Sequence, residues 1–408
     1  MTPAVVLACH TIGLSVIRAL GSAGVPVHAL SYDRMDMGQV SKYVKRKKYV
    51  PHPERFEDAF IDEVLEYGKI SGGGILIPTD DATLSVVSRH RSVLSGGYVV
   101  ACPEWKIVER YIDKRITYEL AEKLGIPAPK TLVPQDVESL KEFARTVEYP
   151  CIVKPVLSHR YFELFRKKLV IAENFAEMHA AYQEAFNAGL DVMIQEYIPG
   201  DDCNGVNYNS YTWDGHPLVE FTAEKVRLSP PRYGVPRVVV SRKIDTVLED
   251  GRRILAEMGF NGFSCTEFKK DARNGVYKLM EVNGRHNRSG LLAVYCGINF
   301  PMIEYNHLLK GELPGTDHYR RYKEGIFWID EYRDIGHSII YFRKERYGLR
   351  GYLRPYLADH VFAVFEWGDP MPFLKRFGDL LGKVFSPFKK LWALFLEPRR
   401  KERLTHAK

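Results

Sequence analysis

The 408 residues are 45% hydrophobic and 27% charged, with a formal net charge of +7. A chain of this length suggests two or three domains and can bury large cores without disulfide or metal staples. From Phe373 to Lys408, ten Lys/Arg face three Asp/Glu, an excess equal to that of the whole chain. Residues 1–372 are therefore formally neutral, so a basic nucleic-acid surface is not expected there.

In chain order, Ala4–Ala8 and Val25–Leu30 read as buried strands, separated by a helical pattern over Gly13–Leu20. Gly74–Pro78 and Tyr98–Ala101 read as two more strands. Strands alternating with helices predict a parallel α/β domain over about 1–110. The turn Cys9-His10-Thr11-Ile12-Gly13 lacks G-x-G-x-x-G, so no dinucleotide fingerprint is present. Asp80 and Asp81 fall at the carboxyl end of a strand, where they either meet a ligand or cap the next helix. The N-terminus lacks a basic region followed by a long apolar one, so no signal peptide is expected. No run of about 18 apolar residues predicts a membrane-spanning helix.

A second region starts near Asp113. Lys114–Leu124 is predicted helical, Ile126-Pro127-Ala128-Pro129 extended, and Val137–Val147 helical. A strand over Pro150–Pro155 carries Lys154; a helix over Phe175–Gly189 then precedes a strand over Val192–Tyr197. The stretch 204–310 reads as antiparallel, with a loop over Arg227–Pro236 and strands at Ser264–Phe268 and Tyr277–Val282 around an Asn274-Gly275 turn. Residues 311–408 are aromatic-rich and give no clear pattern until the tail. The cysteines at 9, 102, 151, 203, 265 and 296 are scattered singly, without ligand spacing. They read as free thiols in a reducing, cytoplasmic compartment.

The residues that carry chemistry are Cys265-Thr266-Glu267-Phe268 and Leu279-Met280-Glu281-Val282-Asn283-Gly284-Arg285. Strand residues two apart share a face, which aligns Glu281 with Asn283. If the hairpin pairs Glu267 with Glu281, two carboxylates face each other and repel unless a proton or a cation joins them. With the Asn283 amide the donors are all oxygen, a set suited to Mg²⁺ or Mn²⁺.

On these residues the chain resembles the ATP-grasp superfamily, whose late signature is Glu-Phe, an acidic turn, then Glu-x-Asn-x-Arg. The resemblance covers about 1–310, with Gly284 where the family often has proline. It implies an N-terminal α/β domain over 1–110 and a two-subdomain ATP-grasp domain over 111–310, with a small lid at about 120–198. It further implies a C-terminal extension over 311–408. Glu267, Glu281 and Asn283 would ligate metal, and Arg285 and Lys225 would act on the transferring phosphate. Lys114 lies in the motif that opens the domain, and Lys154 would reach the α/β-phosphates. The hinge Gln195-Glu196-Tyr197-Ile198 would meet adenine, and Asp202 the ribose. The loop 158–168 departs from the family. It has no glycine and is basic and aromatic, so Lys167 or Lys168 would replace backbone donors to phosphate.

The implied activity is an ATP- and Mg²⁺-dependent (or Mn²⁺-dependent) carboxylate–amine ligase acting on small molecules through an acyl phosphate. A nucleotide-binding regulator that has lost turnover, and an ATP-grasp kinase, are the alternatives. In the tail, Phe373, Phe377, Leu380, Leu381, Val384, Phe385 and Phe388 recur at helical spacing beside basic residues. That stripe either packs on the domain body or lies on an anionic membrane surface.

Overall fold

A computed structural model describes residues 1–156, 164–165, 169–232, 234–315, 321–341 and 347–382. Lys168, most of the 158–168 loop and the tail beyond 382 lie outside the described residues. The expectations placed on them, including membrane contact of the tail, lie outside as well. Among the described residues no helix is long and apolar enough to cross a membrane.

The N-terminal strands β1 (Ala4–Leu7), β2 (Val27–Ser31), β3 (Val44–Tyr49), β4 (Ile75–Pro78) and β5 (Val99–Val100) form a parallel sheet in the order β3-β2-β1-β4-β5. β1, β2 and β4 are buried along their whole length, as a parallel sheet covered on both faces requires. β3 was not expected from the sequence. Its Val-Lys-Arg-Lys-Lys-Tyr run lies at the sheet edge with mostly exposed side chains, so it needs no apolar signal. Lysines on such an edge also hinder pairing with another chain. The helix Trp105–Ile112, also unforeseen, links this sheet to the next region.

A four-stranded antiparallel sheet follows, in the order β6-β9-β7-β8: β6 (Thr131–Leu132), β7 (Cys151–Pro155), β8 (Val170–Ala172) and β9 (Val192–Glu196). The helices Val137–Ala144 and Phe175–Asn187 cover it over a core that includes Leu140, Val153, Met178 and Ile194.

The central sheet has seven strands, ordered β14-β13-β10-β11-β12-β15-β16. They are β10 (Gly205–Trp213), β11 (His216–Ser229), β12 (Val235–Ser241), β13 (Gly262–Lys270), β14 (Tyr277–Asn283), β15 (Phe327–Ile329) and β16 (His360–Phe362). Two expectations need correction. The Arg227–Pro236 loop is shorter than read, because β11 runs to Ser229 and β12 starts at Val235, with Leu228 opposite Pro236. The prolines suggested a loop, but Pro236 fits beside a register shift at Arg227/Leu228, where a missing N–H is tolerated. Second, the described part of 311–408 is not an appendage, since β15 and β16 extend the central sheet. Strands of three residues are too short to show a period of two.

Buried arginines tie this region down. Arg227 Nη1 and Arg237 Nη1 reach Asp334 at 2.7 and 3.0 Å, and the Tyr356 hydroxyl donates to Asp334 at 2.7 Å. The Arg227 guanidinium also lies 5.0 and 4.7 Å from the ring centres of Tyr347 and Tyr352.

Candidate functional site

The β13–β14 hairpin brings the two acids together. Glu267 is the register partner of Glu281, and Cys265 that of Asn283. A lysine holds each acid. Lys114 Nζ, at the start of the helix Lys114–Lys123, is 2.8 Å from Glu281 Oε1, and Lys225 Nζ on β11 pairs with Glu267. Burial would raise the Glu281 pKa, but Lys114, and then Lys154 and Arg285, hold it well below the usual carboxylate range. Burial likewise disfavours the Lys225 ammonium, and Glu267 more than offsets this, so its pKa is raised.

Lys225 reaches Glu267 across the intervening strand β10. A Cβ at Gly205 of that strand would come within 2.7 Å of Lys225 Cδ, so a glycine there leaves room for the lysine stem. Asn283 Nδ2 lies 3.4 Å from Glu267 Oε1, and its Oδ1 accepts from Arg285 Nη2 at 3.2 Å.

Lys154 enters from β7. Its Nζ donates to Gln195 Oε1 at 2.8 Å, and Gln195 Nε2 donates to Thr131 Oγ1 at 2.9 Å. The buried Gln195 thus aims the lysine. Burial, and then the charge of Lys114, push the Lys154 pKa down to about 7, against the opposing pull of Glu281.

One cavity of about 1000 Å³ collects Lys114, Lys154, Gln195, Tyr197, Ile198, Asp202, Lys225, Glu267, Glu281, Asn283 and Arg285 on its walls. Two expected contacts differ in detail. The Glu196 side chain does not line this cavity. It is 6% exposed, pairs with Lys278 at 2.9 Å and with Arg273, and accepts the Lys130 N–H at 3.1 Å. Strand alternation explains this, since Gln195 and Tyr197 take the opposite face. The Glu196 N–H is itself bonded to Lys130 O at 2.8 Å, so Glu196 is part of the sheet rather than of the cavity wall. Asp202 lies on the wall, but its carboxylate accepts the N–H groups of Leu228 and Arg232, at 2.7 and 2.5 Å, and so braces the β11–β12 turn.

Other residues were less legible in advance. Asp80 caps the helix Asp81–Arg89, accepting from Thr83 N at 2.9 Å. Asp81 turns to Arg285 in a two-point pair at 2.8 and 3.0 Å. His286 is buried, 3.0 Å from Glu304 and stacked on Phe263, which is a structural position. Ile12, Asn287, Arg288 and Ser289 also line the cavity, and no spacing rule singled them out.

Among the described residues no group of three or more His, Cys, Asp and Glu side chains gathers as a metal site. A metal here would rest on two carboxylates and an amide oxygen. That small all-oxygen set fits Mg²⁺, which keeps waters and substrate phosphates as its remaining ligands. The lysine ammonium groups already on both glutamates show that these oxygens attract cations.

No family model matches the chain. Over 265 residues it is 28% identical to the D-aspartate ligase of Enterococcus faecium (strain Aus0004), a match covering 60% of this chain and 62% of that protein. The L-amino acid ligase of Bacillus licheniformis superposes with a TM-score of 0.60 at 16% identity, covering 79% of this chain and 78% of that one. The biotin carboxylase domain of the Hydrogenobacter thermophilus 2-oxoglutarate carboxylase, solved with MgADP, ADP and bicarbonate, gives 0.61 at 19% identity, covering 80% and 73%. The chain shares the ATP-grasp fold with these solved structures. Within this fold the cavity lies between the four-stranded sheet, which supplies Lys154 and Gln195, and the central sheet, which supplies Glu267 and Glu281.

Proposed function

We propose that the protein is an ATP-dependent carboxylate–amine ligase. The observation that carries this reading is the facing pair Glu267 and Glu281 on the cavity wall, with a lysine on each. Likeness to two amino-acid ligases supports it.

A carboxylate is a poor acyl donor because its leaving group would be oxide. Attack of a carboxylate oxygen on the γ-phosphorus of ATP breaks the bond to ADP and forms an acyl phosphate. The amine lone pair then attacks the acyl carbon, the C–O bond to phosphate breaks, and loss of a proton leaves the amide. Such chemistry needs positioning and charge stabilisation rather than a protein nucleophile. In this reading Lys154, held by Gln195, binds the α/β-phosphates. Lys225 and Arg285 stabilise charge on the transferring phosphoryl group, and Lys114 orients Glu281. Tyr197 and Ile198 border the adenine, and Asp202 the ribose side. Glu267, Glu281 and Asn283 would hold Mg²⁺ or Mn²⁺, which supplies further charge neutralisation when bound. The unpaired cysteines suit a reducing compartment such as the cytoplasm.

The test is ADP release from Mg-ATP across a panel of acids and amines, with mass detection of the product. ADP that appears only when both an acid and an amine are present, with the amide mass, supports the ligase. ADP with an acid alone and a stable phosphorylated product would instead indicate a kinase.

A further inference from the structure

We infer that the acid substrate carries a second anionic group, a carboxylate or a phosphate, bound by Arg288, Arg333 and Arg376 around Asp330. This deepens the ligase reading and rests on it. Asp330 is fully buried. Arg288 bonds it through both Nε, at 3.2 Å, and Nη2; Arg333 Nε lies 3.4 Å away and Arg376 Nη2 4.0 Å away. Among the described residues three guanidinium groups face this one carboxylate, an excess of two positive charges. The adjacent Glu331 does not match them. Its Oε1 accepts the N–H of Phe365 at 2.7 Å, and burial pushes its pKa up to about 7.

The Arg227–Arg237–Asp334 cluster is also rich in arginine, but it is closed. There the remaining donors meet carbonyls and hydroxyls, including Leu228 O at 3.1 Å and Ser338 Oγ at 2.7 Å. The Asp330 cluster is open: the side chains of Arg288, Arg333 and Arg376 are 21%, 35% and 20% exposed. Arg333 Nε is buried and has no hydrogen-bond partner among the described residues, an unsatisfied donor beside the partly exposed guanidinium groups. Such forks match carboxylate and phosphate oxygens.

The cluster also adjoins the reaction cavity. Arg288 and Ile12 line that cavity, and Arg376 Nη1 is 3.4 Å from Thr11 Oγ1, beside Ile12. Arg288 follows Arg285 by three residues, so their Cα atoms are at most about 10 Å apart. One small molecule can therefore present its reacting carboxylate near Arg285 and a second anion near Arg288.

The test uses the full chain with Mg-ATP and hydroxylamine, an amine that intercepts acyl phosphates. The acids are butyrate, succinate and 3-phosphonopropionate. Succinate or phosphonopropionate is expected to exceed butyrate in kcat/KM by on the order of a hundredfold, and the better of the two identifies the second group. Arg376→Ala should raise KM for that acid about tenfold or more with a smaller change in kcat, and Arg376→Lys should recover part of the loss. Equal use of butyrate, or an unchanged KM in Arg376→Ala, overturns the inference and leaves the ligase reading standing. If none of these three acids supports ADP formation, the wider panel of acids and amines decides the ligase reading, and calorimetric titration of succinate and phosphonopropionate decides the anion site. Binding that weakens in both Arg376→Ala and Arg333→Ala keeps the site. Binding that is absent, or unchanged in both variants, removes it. Circular dichroism melts confirm that each variant is folded.

Discussion

Glu281 and Glu196 look alike in sequence and differ in the fold. Each follows an apolar strand run, and each pairs with a lysine, Lys114 at 2.8 Å and Lys278 at 2.9 Å. Glu281 lines the cavity opposite Glu267, with its side chain 35% exposed. Glu196 is 8% exposed by side chain, and joins the four-stranded sheet to the β13–β14 turn through Arg273 and Lys278, which also contact Asp271. A carboxylate with one direct ion pair and an open side can exchange that partner for another. One enclosed by two cations and a backbone N–H serves as a clamp.

That contrast can be broken most directly at Glu281. Glu281→Ala is expected to reduce ADP formation about a thousandfold or more while leaving the melting transition in place. Steady-state assay and circular dichroism check both halves, and near-normal turnover would remove Glu281 from the proposed site. Glu196→Ala should do the reverse. Leaving Arg273 and Lys278 short of a buried partner is expected to cost roughly 3 kcal/mol in denaturant unfolding, with kcat changed only a few-fold.

A third prediction concerns Lys154, whose pKa of about 7 leaves it half charged near neutrality. The ammonium form is the one that attracts phosphates. Apparent ATP affinity should therefore be steady below about pH 6 and fall as pH rises through 7, by up to about tenfold per unit. Calorimetry at pH 6 and 8.5 measures this, and Lys154→Met should flatten the profile. The smallest effect is expected at Asp81, 55% exposed and paired with Arg285. Asp81→Asn should change stability by at most about 1 kcal/mol, because solvent screens the pair. A larger loss in unfolding experiments would make that pair a domain clamp like Glu196.

How far the chain could be read before folding depended on the local signal. Buried runs such as Ala4–Leu7 and Ile75–Pro78 are long and apolar enough to announce a parallel sheet. β3, charged and at the edge, and β15 and β16, three residues each, carry no such pattern. The Asn-Gly hairpin was legible in the sequence, but the Glu267–Glu281 facing also needs the register shift between Glu267 and Phe268, since Phe268 opposite Leu279 would otherwise set Glu267 against Met280. Arg288, Arg333 and Arg376 lie far apart in sequence, and nothing local predicts that they meet at Asp330.

The sequence by itself determined the order of most elements and the acids and lysines proposed for the phosphate end, because these follow from short-range periodicity and motif spacing. Tertiary structure alone decided which acids stay open to the cavity and which become clamps. It also decided where arginines outnumber their acids. Side-chain partners are chosen by contacts between distant strands and helices, which no local pattern encodes.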